Sequence, residues 1–276
     1  MKIIFMGTPK FAAAILESLF DNGYEIASVI TNPDAPAGRK QILTPSPVKV
    51  MAEKNKIPII QLDEMRDFNV DLAVVAAYGK IISKNILTIP RCGIINVHPS
   101  LLPKYRGASP VQNAILNGDK ETGVTIMKLD EEMDHGPIIA NNELPIADDD
   151  TCESLCQKLA VTGAELLIKT IPDYVSGKIK PVEQNHAKAT YTKIIKKKDG
   201  KIDWSKSANE IERMTRAFYP WPTAWTIWKG KTLKILEAEV RNGKLEIKKL
   251  QLEGGKALSI KEFLNGHKDF VGSAFG

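Results

Sequence analysis

The sequence predicts an α/β protein: a mostly parallel sheet with flanking helices, followed by a small β-rich, barrel-like module. Three observations carry this. Apolar runs alternate with helix-period segments through the first 177 residues. The runs themselves, such as Asp71–Ala77 and Gly93–Val97, are predominantly apolar, as strands buried on both faces are. From about residue 226 onward, alternating strands are punctuated by Lys229-Gly230, Asn242-Gly243 and Gly254-Gly255, which are hairpin signals.

Lys2–Met6 is the opening strand, and Gly7-Thr8-Pro9 turns it into a helix with Thr8 expected as N-cap and Pro9 at its first position. That helix reaches about Asn22, where Gly23 stops it, and Ile26–Ile30 is the next strand. Strand, helix, strand in this rhythm implies a right-handed crossover and parallel pairing. The first turn lacks the further glycines of a dinucleotide fingerprint and the Lys-Ser/Thr of a P-loop, so both nucleotide readings are rejected. Thr31–Pro47 holds four prolines, one glycine and the pair Arg39-Lys40, and reads as a long, positively charged inserted loop. Ser46-Pro47 caps a helix to about Lys56, Ile59-Ile60 is a short strand, and Tyr78-Gly79 breaks the Asp71–Ala77 strand. Ser109-Pro110 opens a helix ending near Asn117-Gly118, Gly123–Leu129 and Pro137–Leu144 are strands, and Asp150-Thr-Cys-Glu153 is a capping box for a helix to about Ser176-Gly177.

The expected domains are therefore 1–177, a basic linker at 178–203, and a C-terminal β-rich module at 204–276. In the last, Ser207-Ala-Asn-Glu210 and Ser259-Ile-Lys-Glu262 are capping boxes. The tryptophans Trp204, Trp221, Trp225 and Trp228 suit either base stacking or hydrophobic packing at a domain seam.

Composition narrows the function class. The 276 residues are 43% hydrophobic and 26% charged, which is that of a soluble globular chain, and there is no apolar stretch long enough to span a bilayer. The opening runs into a strand rather than a signal-type segment, so a cytoplasmic location without membrane attachment is expected. Cys92, Cys152 and Cys156 are too few for a disulfide framework and lack the partners of a zinc site, so no metal is expected. The net charge of +5 hides an asymmetry: residues 178–276 carry 21 Lys and Arg against 11 Asp and Glu, whereas the preceding residues carry 17 against 22. A basic module beside an acidic one suits a polyanion such as RNA, and equally a solvated lysine-rich face.

Chemistry concentrates at Asn96–Gly107. In a strand, Asn96 and His98 point to one face, because side chains alternate with a period of two. A carboxamide can donate to an oxygen becoming negative, and an imidazole can move a proton near neutral pH. Asp134, in the turn Met133-Asp-His-Gly136, is the group available to orient the imidazole. Ligands of parallel sheets bind beyond the carboxyl ends of strands, so Tyr78-Gly79 and Asn96–His98 should line one crevice. Asn and His are also ordinary turn residues, and spacing alone leaves both readings open.

The run Asn96-Val-His-Pro-Ser-Leu-Leu-Pro-Lys-Tyr-Arg-Gly-Ala-Ser-Pro110, with Thr122-Gly-Val-Thr-Ile-Met127 and Met133-Asp-His-Gly136, resembles the signature of the folate-dependent formyltransferases. Phe5-Met-Gly-Thr-Pro9, Thr31–Arg39 with Pro45–Lys49, Val75–Gly79, Ile202-Asp-Trp-Ser205 and Arg216–Pro222 extend the resemblance along nearly the whole chain, towards members that act on the methionine of initiator tRNA. The resemblance implies a Rossmann-like catalytic domain and an OB-like C-terminal domain. It implies 10-formyltetrahydrofolate as formyl donor, held near Ser100, Leu101, Leu102 and Pro103, and Asn96, His98 and Asp134 as the catalytic residues. It further implies methionine-charged initiator tRNA as partner of a monomer, with Arg39 and then Lys40 as tRNA contacts. His135, His186 and His267 match no catalytic pattern and are expected at the surface or in loops. After Val240 the chain passes through Asn242-Gly243 and Leu245–Leu252 directly to Gly254-Gly255, where the barrel of the family it resembles has additional strands; the barrel is expected to be abridged.

Overall fold

The computed structural model describes residues 1–38 and 41–270. In chain order its elements are β1 (Lys2–Gly7), α1 (Lys10–Asp21), β2 (Glu25–Ile30), β3 (Ala35–Ala37), β4 (Ile42–Thr44), α2 (Pro47–Lys54), β5 (Leu72–Ala76), α3 (Lys84–Leu87), β6 (Ile94–His98) and β7 (Arg106–Gly107). There follow α4 (Pro110–Asn117), β8 (Glu121–Lys128), β9 (Ile138–Pro145), α5 (Cys152–Val175), β10 (Tyr191–Thr192) and α6 (Ala208–Ala217). The last elements are β11 (Ala224–Trp228), β12 (Lys231–Arg241), β13 (Lys244–Leu252), β14 (Ala257–Ser259) and α7 (Ile260–Gly266).

Two compact units result. The first takes Met1–Ala108, Thr122–Pro145 and Cys156–Thr192; the second takes Ser109–Glu121, Ile146–Leu155 and the chain from Lys193. The first is built on a six-stranded sheet of order β2-β1-β5-β6-β8-β9. β1 pairs in parallel with β2 and β5, and β5 with β6, while β6 meets β8 antiparallel. Every residue of β5 and β6 is buried, which is why β5 reads as an unbroken apolar run and β6 as one interrupted only by Asn96 and His98. The β5–β6 register sets Val75 beside Asn96, and the β6–β8 register sets His98 beside Thr125.

Local chemistry accounts for most element ends. Ser46 caps α2 by accepting from the Lys49 amide at 3.0 Å, and Pro47 occupies the first turn. Three expectations are corrected. Pro9, not Thr8, is the N-cap of α1, since the Thr8 hydroxyl instead accepts from the Asn32 amide. The Thr31–Pro47 loop contains a two-stranded antiparallel ribbon, β3 with β4. The cap of α5 is a reciprocal pair one residue later than expected: Thr151 accepts from the Ser154 amide and Ser154 from the Thr151 amide, while Asp150 accepts from the Ser154 hydroxyl.

The second unit centres on a four-stranded antiparallel sheet of order β11-β12-β13-β14. β11 and β14 are its edges among the described residues, so the sheet is open where a closed barrel would join them. Trp228 packs edge-on against Phe263 and Phe270 in its core, with Leu233, Ile235 and Leu250 buried nearby. Ser207 caps α6 and Ser259 caps α7, each reciprocally bonded to a glutamate at the third helical position. Hydrogen bonds from Ser207 hold the exposed Glu210 carboxyl below its ordinary value. A depressed carboxylate stabilises the fold above its unfolded pKa and loses that contribution as pH falls through the folded one. Glu210→Gln is therefore expected to flatten the fall in melting temperature below about pH 4.5, which a thermal-melt series over pH checks.

The segment 178–203 is divided, up to Thr192 in the first unit and from Lys193 in the second. Its lysines at 196–198 are exposed, but Gln184 and Thr192 are buried, so it is not a uniformly solvated stretch.

Candidate active site

The carboxyl end of β6 presents Asn96 and His98 on one face, and both are buried. Asp134 reaches them from the turn between β8 and β9 with a left-handed backbone (φ 50°). One of its carboxylate oxygens accepts from Asn96 Nδ2 at 3.4 Å and lies 3.6 Å from His98 Nδ1; the other accepts from the Gly107 amide at 2.7 Å. The opposite ring nitrogen of His98 lies 3.0 Å from the Tyr105 carbonyl. A carbonyl can only accept, so Nε2 carries a proton and Nδ1 is the nitrogen that faces Asp134. The three predicted side chains thus converge.

The loop after β6 is held by hydrogen bonds rather than by packing alone. The buried Thr125 hydroxyl accepts from the Leu102 amide at 3.0 Å and donates to the Ser100 carbonyl at 2.7 Å, and the Ser100 hydroxyl donates to the Lys104 carbonyl at 2.6 Å. Ser100 and Leu102 are buried, while Leu101 and Pro103 are partly exposed. Farther along, Tyr105 adopts φ 62°, uncommon for a bulky residue, and its amide donates to the Thr190 hydroxyl at 2.8 Å. Pairing of β7 with β10 continues this clamp. At Gly107 (φ 104°), a Cβ would stand 2.5 Å from the Thr192 carbonyl, so only glycine brings the amide to Asp134.

Beyond the end of β5, Tyr78 packs in the hydrophobic core; burial pushes its phenol above its ordinary pKa, and its carbonyl accepts from Asn32 Nδ2 at 3.1 Å. Arg39 and Lys40 lie outside the described residues.

Sequence reasoning missed the contacts of Arg106 and Gln184 behind the Asp134 turn. Arg106 is buried and donates to Gln184, His186 and Tyr191. His186, though at the surface as expected, also stacks on His135 with ring centroids 4.1 Å apart, and His135 in turn meets Asp130 at 2.6 Å. His267 packs against Trp228 and Phe263. Arg106 lay inside a recognised motif, but nothing in the sequence around Gln184 signals its role.

Residues 1–171 match the family described as formyl transferase, and residues 194–245 match its C-terminal domain. The chain belongs to the formyl transferase family. A methionyl-tRNA formyltransferase of Halalkalibacterium halodurans is 47% identical over 248 residues, covering 87% of this chain and 78% of the relative. One from Caldicellulosiruptor saccharolyticus is 43% identical, with 97% of each chain covered. Among solved structures, a sugar 3N-formyl transferase crystallised with dTDP and 5-N-formyl-THF superposes with a TM-score of 0.72 at 24% identity, covering 94% of this chain and 97% of that one. A methionyl-tRNA formyltransferase from Clostridium thermocellum gives 0.65 at 20% identity, covering 91% and 98%. These likenesses to solved structures are of fold; the two sequence relatives are methionyl-tRNA formyltransferases.

Proposed function

We propose that this formyl transferase moves the formyl group of 10-formyltetrahydrofolate onto the free α-amino group of methionine carried by initiator tRNA, with Asn96, His98 and Asp134 as its catalytic residues. The observation that carries the reading is the buried contact of Asp134 with both Asn96 and His98. The amine nitrogen forms a bond to the formyl carbon, and the carbonyl oxygen becomes negative. Asn96 Nδ2 and protonated His98 Nδ1 donate to that oxygen; Asp134 stabilises the imidazolium and receives the proton that the attacking amine must lose. The bond from the formyl carbon to the donor nitrogen then breaks, and that nitrogen takes the proton that Asp134 received. Every bond made or broken is accounted for by side chains already present.

The Ser100–Pro103 loop fits a flat, partly polar donor. Its backbone is fixed by Thr125, and Leu101 and Pro103 offer apolar surface to a heteroaromatic ring. The donor supplies the activated formyl carbon, and the loop's part is to bind and orient it.

RNA contact falls to the basic residues. Lys193, Lys196, Lys197, Lys198 and Lys201 are exposed, as are Lys244 and Lys249 on the second unit's sheet. Arg39 and Lys40, which follow β3 in the sequence, are the proposed contacts near the acceptor end. Residues 1–177 act as the transfer module, 204–276 as the RNA-facing module, and 178–203 as their basic connection. The protein works as a monomer in the cytoplasm; among the described residues no helix is long and apolar enough to cross a membrane.

Acceptor choice tests this. Formyl transfer should occur to methionine-charged initiator tRNA and not to a dTDP-linked amino sugar. Arg39→Ala should raise the KM for the tRNA about tenfold, since one lost charge-assisted contact is worth about 1.5 kcal/mol, and leave the KM for folate unchanged. Transfer to the amino sugar alone would replace the acceptor while leaving the site in place.

A further inference from the structure

Arg106 has its guanidinium almost wholly buried (1% exposed), and among the described residues no carboxylate pairs with it. An unpaired buried cation is costly unless its donors find acceptors, and here each of its three nitrogens does. Nε and Nη2 donate to Gln184 Oε1 at 3.2 and 2.7 Å, Nη2 also to His186 Nδ1 at 2.9 Å, and Nη1 to the Tyr191 hydroxyl at 3.3 Å. Gln184, also buried, turns its other end to the catalytic turn, and Nε2 donates to the Asp134 carbonyl at 3.0 Å and to the Gly136 carbonyl at 2.8 Å. A guanidinium only donates and carbonyls only accept, so the amide has a single consistent orientation.

Two hydrogen bonds from one side chain thus hold the carbonyl of the left-handed residue that carries the catalytic carboxylate and that of Gly136 two residues on. A non-glycine residue at positive φ persists only where its surroundings over-determine it. The Gly107 amide fixes one carboxylate oxygen from outside, and Gln184 fixes the backbone from within. We infer that Gln184 is a positioning residue for formyl transfer, held in its orientation by Arg106, and that it acts by locking the Asp134 turn so that the carboxylate faces Asn96 and His98. The inference rests on the proposed catalytic role of Asp134.

Gln184→Met keeps the volume and removes both donors; Gln184→Glu keeps an acceptor for Arg106, so it tests the same loss if the methionine variant does not fold. Either should lower kcat roughly thirtyfold, because displacement of a catalytic group by about an ångström costs up to a hundredfold, with the KM for folate and for methionyl-tRNA within about twofold. The decisive readout is the same substitution in an Asp134→Asn background, followed by single-turnover transfer over hours. There it should cost less than about threefold, since residues acting as a unit are not additive. In NMR spectra the Gly107 amide proton, bonded to the carboxylate, should move upfield in Gln184→Met towards its position in Asp134→Asn. Unchanged kcat in both Gln184 variants overturns the inference, as does an equal loss with and without the Asp134 carboxylate. If Asp134→Asn alone leaves the rate untouched, it is the catalytic reading that fails, a distinguishable result.

Discussion

His98→Ala is expected to slow formyl transfer by about a thousandfold, and Asn96→Ala by about a hundredfold, the range found when a buried donor to a developing oxyanion is removed. The difference follows from what each side chain supplies. Asn96 contributes one neutral donor through Nδ2, whose present acceptor is Asp134. His98 contributes a donor that is charged when Asp134 faces a protonated Nδ1, and charge-assisted hydrogen bonds are roughly twice as strong as neutral ones. Removing both should cost little more than removing His98 alone, because the two act on the same oxygen. Single-turnover rates with enzyme in excess separate this from binding, and the KM for each substrate should stay within about threefold. Loss of the bond to the Tyr105 carbonyl makes a melting curve of His98→Ala a necessary companion.

Gly136→Ala should be the most damaging single methyl in the first unit. A Cβ there would stand 1.9 Å from the Lys128 carbonyl oxygen and 3.1 Å from its carbon. That neighbour is backbone, tied to the Pro137 carbonyl through the Lys128 amide at 2.9 Å, and cannot swing aside. The turn must move as a whole, carrying Asp134 away from Asn96 and His98. A cost of about 3 kcal/mol is expected, lowering the melting temperature by about 6–12 °C for a chain of this size. Transfer by the folded fraction should fall by about a hundredfold. Gly266→Ala, where a Cβ meets nothing within 4 Å, is the control and should change neither.

Legibility in the sequence followed the range of the interactions. β5 and β6 are readable because burial on both faces leaves a run of mostly apolar residues. The Ser207 and Ser259 caps and the hairpin at Asn242-Gly243 were readable because their partners lie within a few residues. Asn96 and His98 share a face through strand period alone, and Asp134 was reached through its turn and the family signature. The β3–β4 ribbon was not legible: it is three residues on each side, interrupted by Pro36, with β4 exposed throughout, so no alternation marks it. Thr8 was misassigned because its hydroxyl bonds Asn32, 24 residues on. Gln184 was invisible for the same reason, lying 78 residues from Arg106 and 50 from Asp134 in a stretch whose lysines dominate its pattern. Polar contacts at that separation leave no periodic trace.

The most direct test of the central claim is the single-turnover transfer of a labelled formyl group from 10-formyltetrahydrofolate to methionine-charged initiator tRNA, comparing the unaltered protein with Asp134→Asn. The Asp134 carboxylate joins the two proposed oxyanion donors and takes the amine proton, so its loss should slow transfer by about a thousandfold while donor and tRNA still bind. Transfer by Asp134→Asn at a rate within about threefold of the unaltered protein would contradict the account.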